Sequence, residues 1–123
     1  MVKFFIKKMG IKGAVSIHTV GPLKIKELNR KFRGQNRVTD VLAFAAQEGL
    51  KFPGKIGQEL GDIFLCLPQI KKQARENGIT FKNELGRILV HGLLHLVGYD
   101  HQSTKQAKKM FSKQEVLVKA FFL

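Results

Sequence analysis

Residues 83–98 read NELGRILVHGLLHLVG, and residues 99–101 continue as YDH. The stretch is apolar at most positions and holds no proline, which predicts a helix buried nearly all round. Thr80 or Asn83 can cap its start, and Gly98 ends it. Such a helix belongs at the centre of a domain, with the other elements packed around it. Beyond Asn83, Glu84 and Arg87 in its first turns, its polar residues are His91 and His95. Four residues apart, they share one helix face, about one turn from each other. Gly98 can adopt a left-handed conformation and turn the chain back, so that His101 completes a three-histidine face. Three of the chain's four histidines thus fall within HGLLHLVGYDH, residues 91–101.

Working outward, VKFFI (2–6) and AVSIHTV (14–20) read as strands, being β-branched and aromatic, with alternation in the second. Gly21-Pro22 punctuates the chain, and Leu23, Leu28 and Phe32 recur near helical spacing until Gly34. RVTDVLAFAA (37–46) predicts a third strand and LGDIFLCL (60–67) a fourth, joined by a long loop at QEGLKFPGKIGQE (47–59). Pro68 suits the first turn of a helix running to Asn77, with Gly78 as its stop. Ser103 or Thr104 can cap a last helix, in which Ala107, Met110, Phe111, Leu117, Val118 and Phe121 recur. The expected fold is a single α+β domain over residues 1–123. It has a small mixed four-stranded sheet, surrounding helices and a buried central helix carrying His91 and His95.

Charge is the strongest global feature. The 22 Lys and Arg stand against 9 Asp and Glu, a formal net of +13. An excess of that size on 123 residues favours a polyanionic partner, most commonly nucleic acid. No apolar stretch approaches a membrane span, and the basic N-terminal MVKFFIKKMG has too short an apolar run for a signal peptide. The lone Cys66 excludes an internal disulfide framework and fits a reducing, cytoplasmic setting.

Three histidines suit zinc, which takes about four ligands near tetrahedral geometry. Three protein ligands leave one position open, the pattern of a catalytic site, and no second cysteine exists to close a structural one. Water at such a position has its pKa lowered toward about 7. One ion per chain is expected; imidazole also suits nickel, copper and iron. The spacing is similar to that of the metzincin proteases, whose general base is the Glu after the first His; here that position is Gly92, which cannot take a proton. His18, isolated in a strand, reads as an ordinary strand residue.

The segment HGLLHLVGYDH resembles the signature of the YbeY family, bacterial endoribonucleases of rRNA maturation. LNRKFRGQNRVTDVLAF (28–44) and ELGDIFLCLPQI (59–70) resemble two further family segments, so the likeness runs from about residue 15 to the C-terminus. It implies an α+β fold with a mixed sheet of about four strands, and zinc held by His91, His95 and His101. It further implies action on single-stranded RNA, 16S rRNA 3′-end processing, ribosome quality control and association with the ribosome or its small subunit. The family's motif arginine falls at Arg33. Ala43 and Ala45 replace a usual Ser and Pro, the segment after His101 is basic where the family is often acidic, and the chain is short for the family, starting close to its first predicted strand.

For the chemistry, Arg33 offers a planar fork matched to phosphate. From the residues alone it reads equally as a solvated arginine beside a helix-ending glycine. The base is open among Asp100, Asp40 and Asp62. Asp100 can instead orient a ligand imidazole, and Asp40 and Asp62 read equally as turn or strand-end residues. Tyr99 can stack a base or donate to phosphate, or simply pack. Lys24, Lys26, Arg30, Lys31, Arg33 and Arg37, with Glu27 the one acid among them, mark the expected RNA path. The alternatives to an RNA-cleaving enzyme are a non-catalytic, zinc-stabilised ribosome-assembly or RNA-binding factor, and a metal-dependent hydrolase of another substrate.

Overall fold

The fold is taken from a computed structural model that describes residues 1–46, 60–99 and 102–122. The expected long loop at 47–59 lies outside them. In chain order the elements are α1 (Val2–Lys8), β1 (Val15–Thr19), α2 (Pro22–Arg33), β2 (Val41–Ala45), β3 (Gly61–Leu65), α3 (Leu67–Asn77), α4 (Phe81–Leu96) and α5 (Thr104–Phe121). The α+β class holds, but among the described residues the sheet has three strands where four were expected, in the order β1-β3-β2. β1 runs parallel to β3, with Ile17 opposite Ile63, and β2 runs antiparallel to it, with Ala43 opposite Ile63.

The missing strand is VKFFI, which is helical in α1. An apolar run this short carries no period that separates strand from helix. Tertiary packing decides: the helix turns Phe5 fully inward while Lys3, Lys7 and Lys8 stay exposed. Phe4 and Phe5 meet Phe121 of α5 at ring-centroid distances of 5.2 and 5.4 Å. Lys7 and Lys8 in the last turn complement the negative end of the helix dipole.

The other helix ends are set by the expected residues. Pro22 and Pro68 sit in the first turns of α2 and α3, and Gly34 and Gly78 close those helices at φ 70° and 65°. Thr80 caps α4, its hydroxyl accepting from the Asn83 N–H at 3.1 Å. Ser103 and Gln106 form a reciprocal capping box on α5, at 3.1 and 3.2 Å.

The two faces of the sheet bury different helices. Ile63 and Leu65 of β3 join Leu89, Val90, Leu93 and Leu94 of α4 with Met110, Leu117 and Val118 of α5. The alternate residues, Leu42, Phe44 and Phe64, join Ile25 and Leu28 of α2, along with the buried free thiol of Cys66. α4 is therefore the central helix, with eight of its residues buried. Each fully buried Leu or Val contributes about 1.5–3 kcal/mol relative to exposure. Among the described residues no helix is long and apolar enough to cross a membrane.

Candidate active site

α4 crosses the sheet at Gly92. A Cβ there would meet Ile63 Cδ1 at 3.3 Å and Val41 Cγ2 at 3.5 Å. His91 and His95, on either side of the crossing, lie side by side, ring centroids 4.9 Å apart and planes at 80°. Both open into one groove of about 1310 Å³ that runs between β2, the C-terminal halves of α2 and α3, α4 and α5. Val97, Gly98 and Tyr99 follow α4, with Gly98 at φ 103°. Tyr99 packs, half-buried, against the core. Asp100 and His101 lie outside the described residues, as does any placement of the third expected ligand. Among the described residues no cluster of three metal-ligating side chains forms.

The donors present fit a borderline metal. His91 Nδ1 lies 3.0 Å from Gln114 Oε1. An amide oxygen can only accept, so this contact suits an Nδ1–H that leaves the lone pair on Nε2. Two imidazoles on one rigid face suit zinc better than calcium or magnesium, which prefer oxygen.

Arg33 lines the same groove. Its guanidinium donates from Nη2 to the Ala43 carbonyl at 2.9 Å and stacks on the Phe44 ring at 4.5 Å, so its place is set by β2. Asp40 also lines the groove, its carboxylate accepting from Thr39 Oγ1 at 3.3 Å and Gln73 Nε2 at 3.0 Å. Asp62 does not. It is buried on the α2 face of the sheet, where its Oδ1 lies 2.9 Å from His18 Nε2, while His18 stacks on Phe64 at 4.4 Å. Asp62 is thereby removed from the base candidates, and His18 is a partner to a buried carboxylate, not an isolated strand residue.

Of the six expected RNA-binding residues, the fold separates two groups. At about 100° per residue along α2, Lys26 and Arg30 share the flank of Asn29 and Arg33, which line the groove. Lys24 and Lys31 fall on the far flank. Lys24 pairs there with Glu27 at 3.6 Å, and Lys31 lies 5.6 Å from the Phe32 ring. Arg37 follows α2, its carbonyl accepting from Asn29 Nδ2 at 3.1 Å. Sequence reasoning missed Gln73, Glu84, Arg87 and Gln114, which line the groove, and Glu115, which bonds Arg87 and Gln114 beside it. It also missed an apolar cleft of about 400 Å³ beside His91, lined by Ala107, Lys108, Met110 and Phe111, the last 54% exposed.

The sequence profile of Endoribonuclease YbeY matches residues 1–121, and the chain belongs to that family. The family name denotes hydrolases that cut within RNA chains. The Endoribonuclease YbeY of Persephonella marina is 46% identical over 102 residues, covering 82% of this chain and 65% of that protein. The Endoribonuclease YbeY of Geobacillus thermodenitrificans is 43% identical over 114 residues, covering 89% of this chain and 73% of its own. The chain thus spans just under two thirds of the Persephonella protein and about three quarters of the Geobacillus one. A solution structure from Thermotoga maritima superposes with a TM-score of 0.63 at 39% identity, covering 95% of this chain and 73% of that one.

Proposed function

We propose that the protein is a zinc-dependent endoribonuclease that cuts single-stranded RNA during rRNA maturation, with His91, His95 and His101 holding one ion. The observation that carries this reading is the pairing of His91 and His95 in the same groove as Arg33, on a chain of net charge +13. A divalent ion, if held by His91, His95 and His101, would supply Lewis-acid polarisation of a phosphoryl oxygen and acidification of water.

The chain's own residues do the rest. Arg33, anchored by Ala43 and Phe44, turns its guanidinium fork to phosphoryl oxygens as charge grows on them. Of the groove carboxylates Asp40 and Glu84, Glu84 faces Arg87 and Asp40 is the candidate for proton transfer. Asp100, next in sequence to His101, is the candidate acceptor that orients that imidazole. Lys26, Arg30 and Arg37 carry the RNA backbone toward Arg33. Phe111, exposed in the cleft beside His91, offers a stacking face that an unpaired base can use and a duplex cannot. The family likeness supports 16S rRNA 3′-end processing and ribosome quality control, the small ribosomal subunit as partner and the cytoplasm as the setting.

The test is cleavage of a single-stranded 16S rRNA 3′-end fragment by metal-loaded protein, beside His95→Ala and the same RNA annealed to its complement. The expected result is cutting of the single strand alone, reduced at least about 100-fold in the variant. Equal cutting by both proteins overturns the enzymatic reading. Tight RNA binding without cutting by protein shown to hold metal favours a non-catalytic assembly factor.

A further inference from the structure

A single chain of polar contacts runs along the groove, and the Arg87–Glu115 pair within it fixes the amide that faces His91. Gln73 Nε2 donates to Asp40 Oδ2 at 3.0 Å and to Glu84 Oε2 at 3.3 Å. Glu84 Oε1 lies 3.8 Å from Arg87 Nε, and Arg87 Nη1 donates to Glu115 Oε1 at 2.8 Å. The other oxygen of Glu115 faces Gln114 Nε2 at 3.4 Å, and Gln114 Oε1 faces His91 Nδ1 at 3.0 Å. An arginine can only donate and an ionised carboxylate can only accept. Glu115, paired with Arg87, must therefore receive the amide nitrogen of Gln114. The reversed amide would set oxygen against carboxylate. With its nitrogen so committed, Gln114 presents oxygen to His91, and only a protonated Nδ1 can answer it. Gln114 and Glu84 are buried, while the Arg87–Glu115 pair that holds the amide is about one third exposed.

We infer that Gln114, held by the Arg87–Glu115 pair, is a positioning residue that selects the Nδ1–H tautomer of His91 and so presents Nε2 as its lone-pair atom. The inference deepens the proposed metal site and rests on it for its purpose, but the tautomer is a property of the metal-free protein and is read without RNA. The relay couples Gln73 on α3 and the Gln114–Glu115 pair on α5 to His91 on α4. Loss of a partner of this kind lowers metal affinity about 10–100-fold in comparable sites.

The experiment is imidazole nitrogen NMR of the metal-free protein in mildly alkaline buffer, for the natural chain, Gln114→Met, Gln114→Glu and Glu115→Gln. The natural chain should show a pyrrole-like Nδ1 and a pyridine-like Nε2 at His91. Gln114→Met, near in shape but without an acceptor, should lose the bias. Gln114→Glu should keep it, which a purely space-filling role does not require. Glu115→Gln should weaken it, and gives a second reading should Gln114→Met fail to fold. Zinc competition against a chromophoric chelator should then show an affinity loss of about 10–100-fold for Gln114→Met and recovery in Gln114→Glu. A pyridine-like Nδ1 in the natural chain, or an unchanged tautomer in folded Gln114→Met, overturns the inference. The expected tautomer in a chain that binds no metal overturns the proposed function instead and leaves the relay standing.

Discussion

At Gly92, a missing side chain decides what the helix face can do. The 3.3 Å gap to Ile63 Cδ1 explains the glycine by the crossing of α4 over the sheet. It also explains why a glutamate base in the manner of the zinc peptidases has no room there. Gly92→Ala should cost about 1–3 kcal/mol by overpacking, read as a lower urea midpoint at unchanged slope; an unchanged midpoint would show that the core absorbs a methyl freely. His18→Ala should leave Asp62 without its imidazole partner, costing about 1–3 kcal/mol. RNA cleavage by the folded protein should stay near normal, because neither residue lines the groove. Lost cleavage with normal stability would return Asp62 to the site. The histidine pair was legible because its spacing is local, one helical turn. Gln114 and the Arg87–Glu115 pair were not, because their partners lie 23 and 28 residues away and no short-range pattern announces them.

Elements bounded by residues of fixed backbone habit were readable, and those that depend on distant packing were not. Prolines at the starts of α2 and α3, αL glycines at their ends, and Thr80 and Ser103 before α4 and α5 all mark boundaries through φ preference or side-chain capping. α1 escaped because VKFFI has strong β propensity and no period, and its helical form goes with packing on α5 and α4. Thr80→Ala should lower stability by about 1 kcal/mol, measured by denaturant unfolding; no change would mean that the α4 N-terminus is satisfied otherwise. Gly61 begins β3 at φ 145°, where a Cβ would lie 2.1 Å from the Phe44 carbonyl oxygen. Gly61→Ala cannot keep the β2–β3 register and should fail to fold or lose several kcal/mol. A stable, active Gly61→Ala protein would contradict that pairing.

Across the whole molecule, the charge of +13 was legible as a polyanion partner, but only the fold shows which cations face the groove. Arg30→Glu should weaken binding of single-stranded RNA far more than Lys24→Glu or Lys31→Glu. It should also lower the slope of log affinity against log salt by about 0.7, as expected when one phosphate of a single strand is no longer neutralised. Equal effects from both flanks of α2 would mean that the charge acts only as a diffuse field. Phe111→Ala should cost about 1–3 kcal/mol of single-strand affinity with little change for duplex. Beneath these lies the claim that three imidazoles hold one cation at the β2 edge. Native mass spectrometry of protein purified without chelator or histidine tag tests it most directly, run beside His91→Ala and His95→Ala. One zinc per natural chain and none in either variant is the predicted result. A metal-free natural chain, or an ion retained equally by both variants, would contradict it.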